Sequence, residues 1–343
     1  MSKKQTQGLI IAAIIFVITG VISVITNAVS DSLTKKSEEV SMDSFMAGLN
    51  GQNSSLALAD MPTTKDYIAI VPVEGTIQAT PDSTAFGETA VGYNHNLLME
   101  YIDKLIDSTN NKGIILRMDT PGGTVYEADE LYLKLMEYKE ETGRPIWAYM
   151  ESYCCSGGVY IASSADEQYA NRNATTGSIG VIISTYDMSG LYDKLGIKEV
   201  NIVSDKNKDM GSAAKEMTEE QIAIYQSVVD EAYEQFVGVV AKGRNMPVEK
   251  VKQLADGRIY TANQAYGKGL IDGIKGKEEF DEYVKEKSGV KDFYEPKSTP
   301  SYFASLFGEL KGAKEKSEAE VLVDLMNQLG SGVPMYYAKV YGK

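Results

Sequence analysis

The sequence predicts an α/β protein with a mostly buried sheet, tethered by an N-terminal membrane helix. Three observations predict it. Short runs rich in isoleucine and valine recur from Tyr67 onward, as in strands covered on both faces. Segments of helical periodicity separate them, so strand and helix alternate. Ahead of both, the stretch 9–25 carries no charge and follows Lys3 and Lys4.

Residues 1–8 read as a cytoplasmic leader and 9–29 as a transmembrane anchor, long enough to span a hydrocarbon core. The positive leader favours an inside N terminus and an extracellular remainder, in a single pass. No Ala-x-Ala cleavage pattern follows, so the segment reads as a signal anchor. Residues 30–65 are a polar stalk. Residues 66–274 form the folded domain, and the charged stretch 275–343 a C-terminal extension.

Within the domain, YIAIVPVEGTI (67–77) is a strand pair or one bent strand, followed by a polar loop over 79–92. Helical periodicity covers 96–108. GIILRMD (113–119) is a short buried strand ending in Pro121-Gly122-Gly123. A helix spans 126–142 with Gly143 as its C-cap, and PIWAYM (145–150) is a strand. After YCCSGG come a helix over 158–164, a strand near Tyr169 and the turn TTGSIG. IKEVNIV (197–203) reads as a further strand. The long amphipathic helix 217–242 opens with Thr218 and Gln221 in capping-box spacing, and a short helix covers 247–254. In the extension, a helix is expected over 314–328. The aromatic tail VPMYYAKVYG is too apolar to be left in solvent, so it should dock.

The formal charge of −14 over 343 residues argues against nucleic-acid binding. The only cysteines, Cys154 and Cys155, are adjacent, which excludes a disulfide framework and a tetrathiolate zinc site. His95 is the sole histidine and lies in a polar, loop-like stretch, a poor setting for a Ser-His-Asp triad. No cofactor or metal is called for.

Ser156 lies between a strand and a helix, followed by Gly157 and Gly158. Such a turn can present a side chain at a helix start, where developing negative charge is favoured. A serine N-cap is the plainer reading. A serine nucleophile needs a base, and with histidine scarce a desolvated lysine can serve. SDKNKD offers Lys206 and Lys208, which the residues alone leave equal, beside the plainer reading of a solvated turn. Asp119-Thr120-Pro121-Gly122-Gly123 can aim a backbone amide at an oxyanion, or be an ordinary Pro-Gly turn. Cys154 and Cys155 read as small apolar packing beneath the turn.

DTPGGTVYEADE, CCSGGVYIASSAD, TTGSIGVI, LGIKEVNIVSDKNKD and the tail MYYAK together resemble the signal peptide peptidase A family, in its short membrane-anchored Gram-positive form. The resemblance covers nearly the whole chain. It implies a ClpP/crotonase-like fold and a serine–lysine dyad protease, with Ser156 the nucleophile and Lys208, rather than Lys206, the base. It implies Gly123 and Gly157 as oxyanion donors, Ser178 as the residue orienting the lysine, and Tyr160 as a lining residue of the substrate pocket. It further implies peptide substrates, above all signal-peptide remnants in the membrane. A homo-oligomeric ring or dome of eight copies is implied as well, with a tail that docks near the groove. The chain departs from the family pattern at Cys154 and Cys155, which replace small residues and would make thiol reagents block the site. It also departs at Asp205, which stands where glycine is common and would be strained if that position needed positive φ. A noncatalytic anchored scaffold and an acyl-CoA-handling crotonase-type enzyme are the alternatives; retention of both Ser156 and Lys208 disfavours them.

Overall fold

In a computed structural model of the chain, residues 61–79, 92–296 and 335–337 are described, the last three by backbone alone. The predicted anchor, most of the stalk, most of the 79–92 loop and the 314–328 helix lie outside the described residues. Among the described residues, no helix is long and apolar enough to cross a membrane.

The α/β expectation holds, with a mixed sheet. Three parallel strands form its centre: β1 (Tyr67–Glu74), β2 (Asn111–Thr120) and β4 (Ile146–Cys155). Their order is β1-β2-β4, with β9 (Phe293–Tyr294) outside β1. The far edge of β4 is shared. Its first half pairs with β5 (Glu167–Ala170), which in turn pairs with β8 (Gly273–Ile274). Its last residues pair with β6 (Thr175–Gly177), and β6 pairs antiparallel with β7 (Ile259–Thr261). A separate antiparallel pair joins β3 (Gly122–Thr124) to β10 (Met335–Tyr337).

Both faces of the central strands are apolar because both are covered. Val71, Leu116 and Ala148 pack under helices α1 (His95–Asp107), α2 (Val125–Thr142), α3 (Gly157–Ala162) and α5 (Glu219–Gly243). The alternating residues Ile70, Ile115, Trp147 and Tyr149 face Phe280 and Val284 of α8 (Lys277–Ser288). The charged stretch after 274 therefore begins with a helix and a strand that belong to the fold.

Three short helices complete the list among the described residues: α4 (Ser189–Leu195), α6 (Val248–Leu254) and α7 (Ala262–Lys268). The strand expected over 197–203 is absent: this segment is exposed coil, with Val200 81% and Ile202 99% accessible. Its β-branched residues favour a strand, but no backbone among the described residues pairs with it. His95 also departs from its expected loop. It is the first residue of α1, buried, with Nδ1 against the Tyr93 hydroxyl at 2.8 Å and Nε2 against Glu130 at 3.0 Å.

Candidate active site

Ser156 joins the end of β4 to the start of α3 with φ 54° and ψ −115°. Positive φ is costly for a residue with a Cβ, on the order of 1–3 kcal/mol, and needs surroundings that enforce it. The Ser156 N–H donates to the Gly177 carbonyl at 2.8 Å, and the Ser156 carbonyl accepts from the Tyr160 N–H at 3.1 Å. Gly158 lets α3 press onto β2, since a Cβ there would meet the Thr120 methyl at 2.7 Å. The Ser156 side chain is buried, and its hydroxyl has no hydrogen-bond partner among the described residues. With only six residues, α3 supplies oriented amides, Gly157 first, rather than a sizeable macrodipole.

The Asp119–Gly123 turn lies alongside, because Thr120 is the register partner of Cys154. Thr120 is buried; its hydroxyl donates to the Gly75 carbonyl at 2.6 Å and accepts from the Gly122 N–H at 3.0 Å. Asp119 accepts from the Tyr153 N–H at 3.0 Å, tying the two turns. The Gly122 carbonyl accepts from the Ile77 N–H at 2.9 Å, and the Thr124 N–H donates to the Ile77 carbonyl at 2.8 Å. Strand alternation then turns the N–H and C=O of Gly123 toward the opposite edge. Only glycine fits there: a Cβ on Gly123 would sit 1.7 Å from the Ile77 carbonyl oxygen. That opposite edge is the one β10 takes, with Tyr336 in register with Gly123. The β10 backbone also neighbours α3.

Ser178 follows Gly177, the β6 residue paired with Cys155, so it lies beside the serine turn. It too has positive φ, 51°, and its N–H donates to the Arg258 carbonyl at 2.7 Å. Tyr160 is fully buried in the core, its ring edge-on to Tyr132 at 5.4 Å and near Phe236 at 5.2 Å. Its hydroxyl donates to Asp129 at 2.6 Å and accepts from Gln235 at 2.8 Å.

The lysines are elsewhere. Lys206 and Lys208 lie on a largely exposed arm between β6 and α5. Lys206 is ion-paired to Glu220 at 2.7 Å, which suits a surface cation. Lys208 has no ion-pair partner among the described residues, and its N–H donates to the Asp205 carbonyl at 3.0 Å. Within one chain the structure does not bring Lys208 into hydrogen-bond contact with Ser156. Asp205 is not among the residues with positive φ, so the strain expected there does not arise.

The cysteines are buried. Burial pushes the Cys154 thiol well up and that of Cys155 up to about 12. Neither is a thiolate near neutral pH, so neither suits a nucleophile, and burial removes them from the thiol reagents expected to block the site. Among the described residues, no cluster of three or more His, Cys, Asp or Glu could hold a metal. The sequence marks Thr120 only as part of the turn and, by resemblance, Tyr160 only as a pocket-lining residue; it does not single out Asp129 and Gln235, which hold the Tyr160 hydroxyl. Thr120 was open to suspicion, since a buried threonine directly before Pro-Gly-Gly can cap the turn.

A strained, buried serine between a parallel strand and a helix, beside a glycine strand, has the geometry that acyl transfer can use. Residues 138–291 match peptidase family S49. The chain is 34% identical over 318 residues to a protein of Enterococcus faecium named for signal peptide peptidase SppA, covering 88% of this chain and 91% of that one. It is 37% identical over 187 residues to a protein of Synechocystis named as a protease, 54% and 67% of the two chains. The chloroplastic serine protease SPPA of Arabidopsis thaliana is 29% identical over 233 residues, 66% of this chain and 33% of that one. The chain belongs to the signal peptide peptidase family of serine proteases, S49.

Proposed function

We propose that the chain is a membrane-anchored serine endopeptidase with a ClpP/crotonase-like fold and its catalytic domain outside the bacterial cell membrane. It cuts signal-peptide remnants and other unfolded peptides. Neutral Lys208 takes the proton of Ser156 as its Oγ attacks the scissile carbonyl carbon. The amides of Gly123 and Gly157 hold the oxyanion, and Ser178 orients the lysine amine. Protonated Lys208 gives its proton to the leaving nitrogen, releasing the first product and leaving an acyl ester on Ser156. Water, deprotonated by the same amine, then attacks the ester carbonyl, and the lysine returns the proton to Ser156 Oγ as the C–O bond breaks and the second product leaves as its carboxylic acid.

The observation that carries this reading is Ser156 itself. It holds a strained backbone, φ 54°, around a buried hydroxyl without a hydrogen-bond partner among the described residues. Strain of that kind persists where the surroundings impose it and a task needs it. Lys208 supports it as the lysine of SDKNKD that is not committed to a carboxylate. The pairing of β10 with β3 supports an extended peptide as substrate, added as a strand on the edge that carries Gly123. The tail occupies that edge and competes with substrate. Val200 and Ile202, almost wholly exposed, suit a surface that other copies of the chain cover. Assembly into the ring seats the arm and completes the dyad.

The test is hydrolysis of an unfolded peptide by the detergent-solubilised chain. Ser156→Ala and Lys208→Ala are expected to lose activity by more than about 10³-fold, and Lys206→Ala to keep it. Activity retained in Ser156→Ala would sink the serine mechanism. If the wild type is silent even after removal of 333–343, a noncatalytic scaffold becomes the better reading.

A further inference from the structure

We infer that Tyr160, held by Asp129 and Gln235, is a positioning residue that fixes the nucleophile turn to α5, the helix against which the base-bearing arm is seated. The inference rests on the Ser156–Lys208 reading above.

Tyr160 stands one helical turn after Ser156, and its N–H closes the first bond of that turn on the Ser156 carbonyl. Any rotation of the Tyr160 ring therefore reaches Ser156 through one short, buried segment. The ring is held by Tyr132 of α2 and Phe236 of α5. Its hydroxyl has a defined polarity. It donates to the Asp129 carboxylate of α2, which can only accept, and takes a hydrogen bond from the Gln235 amide of α5, whose nitrogen can only donate. Three elements thus meet at one oxygen, and one of them carries the serine.

The other end of α5 carries the arm. The Gln221 amide donates to the Lys206 carbonyl at 3.4 Å, and the Tyr225 hydroxyl to the Met210 carbonyl at 3.3 Å. These contacts bracket Lys208. At 100° per residue, Gln221, Tyr225 and Gln235 fall within an arc of about 80° on one face of α5, spread over about 21 Å. A single rigid helix therefore sets where the nucleophile turn sits relative to the seat of the arm. If the lysine that meets a given serine comes from a neighbouring copy, the same rod links the geometry of adjacent sites. Placement errors near 1 Å in such a pair cost about 10²-fold in rate.

The experiment uses the full chain in detergent and compares Tyr160→Phe, Gln235→Glu and Asp129→Asn with wild type. Peptide hydrolysis gives kcat and KM, a small fluorophosphonate gives the acylation rate of Ser156, and thermal melting reports folding. The expected result is a fall in kcat and in acylation of about 10²-fold for Tyr160→Phe and Gln235→Glu, with KM within about twofold. Asp129→Asn keeps a carbonyl acceptor for the hydroxyl and is expected to retain most of the rate. That rescue separates hydrogen-bond polarity from mere packing. Wild-type kcat in a folded Tyr160→Phe would overturn the inference, as would a loss confined to KM. If Tyr160→Phe fails to fold, Gln235→Glu decides, because Gln235 lies on the exposed side of the network. Ser156→Ala and Lys208→Ala run alongside: activity surviving in either brings down the dyad reading itself. Their inactivity together with wild-type Gln235→Glu would bring down only the positioning role.

Discussion

The Ser156 turn and the Lys208 arm are opposite kinds of structure. The turn is locked from below by Thr120, from the side by Gly177 and from its own helix by Tyr160. Every constraint comes from buried strands and a short buried helix. The arm is largely exposed and, apart from α4, irregular; apolar residues such as Val200 and Ile202 meet solvent, and polar residues pair locally, as Lys215 does with Asp209 at 2.6 Å. One half of the proposed dyad is over-determined by the fold of a single chain, and the other is not. A strained nucleophile must be enforced by its own core. In the proposed mechanism a lysine on a surface arm is delivered by assembly; in the lone chain Lys208 is exposed and the Ser156 hydroxyl has no hydrogen-bond partner among the described residues.

The largest effect that would break this contrast lies on the locked side. Gly123→Ala would place a methyl 1.7 Å from the Ile77 carbonyl oxygen, so β3 must move off Ile77. The amide proposed as oxyanion donor moves with it. Hydrolysis and acylation of Ser156 are both expected to fall by about 10²–10³-fold. Unchanged kcat/KM in a folded Gly123→Ala would show that the amide is not an oxyanion donor.

On the arm, the double change Val200→Ser with Ile202→Ser is expected to leave monomer stability within about 0.5 kcal/mol, since both side chains are already in solvent. Assembly, followed by light scattering in detergent, is expected to weaken, and kcat/KM to drop by about 10–10²-fold as Lys208 loses its seat. A variant that stays monomeric yet fully active would mean that the arm completes the site without a neighbour.

Legibility in the sequence followed the same divide. β1, β2 and β4 were readable because both of their faces are buried, which makes them continuous apolar runs. The serine turn was readable because its glycines follow directly. The 197–203 segment has the same composition as a buried strand, yet it has no partner strand among the described residues, and composition cannot reveal whether one exists. α8 hid in a charged stretch because it buries little more than Phe280 and Val284 against the sheet, too few for a clear stripe. The Tyr160 network was invisible for another reason. Asp129, Tyr160 and Gln235 come from three helices, 31 and 75 residues apart in its two bonds, and no local spacing joins them.

A smaller effect would sharpen the claim of strain. Ser156→Gly and Ser156→Ala both remove the hydroxyl, but only glycine also relieves φ 54°. Chemical denaturation is expected to find Ser156→Gly more stable than Ser156→Ala by about 1–2 kcal/mol, after the entropic cost that glycine carries in the unfolded chain. Equal stabilities would mean that the turn holds its shape without strain.

The smallest effect concerns Cys155, beneath the locked turn. Burial raises its pKa to about 12. At pH 8 the thiolate fraction is then about 10⁻⁴, against about a quarter for a free thiol, so alkylation should be slower by about 10³-fold even before access is considered. Iodoacetamide is expected to leave activity intact at pH 8 and to modify both cysteines only after unfolding, as mass spectrometry would read. Because the folded pKa lies above the unfolded one, the unfolded chain loses its proton first as pH rises. The contribution of the neutral thiol to stability is whole below about pH 8.5 and drains away toward pH 12. Cys155→Ala should therefore gain on the wild type in denaturation measured at pH 10 relative to pH 7. Rapid alkylation of the native chain would show the opposite, that the floor of the turn opens, and the division between a locked serine and an exposed lysine would fail at its firmer end.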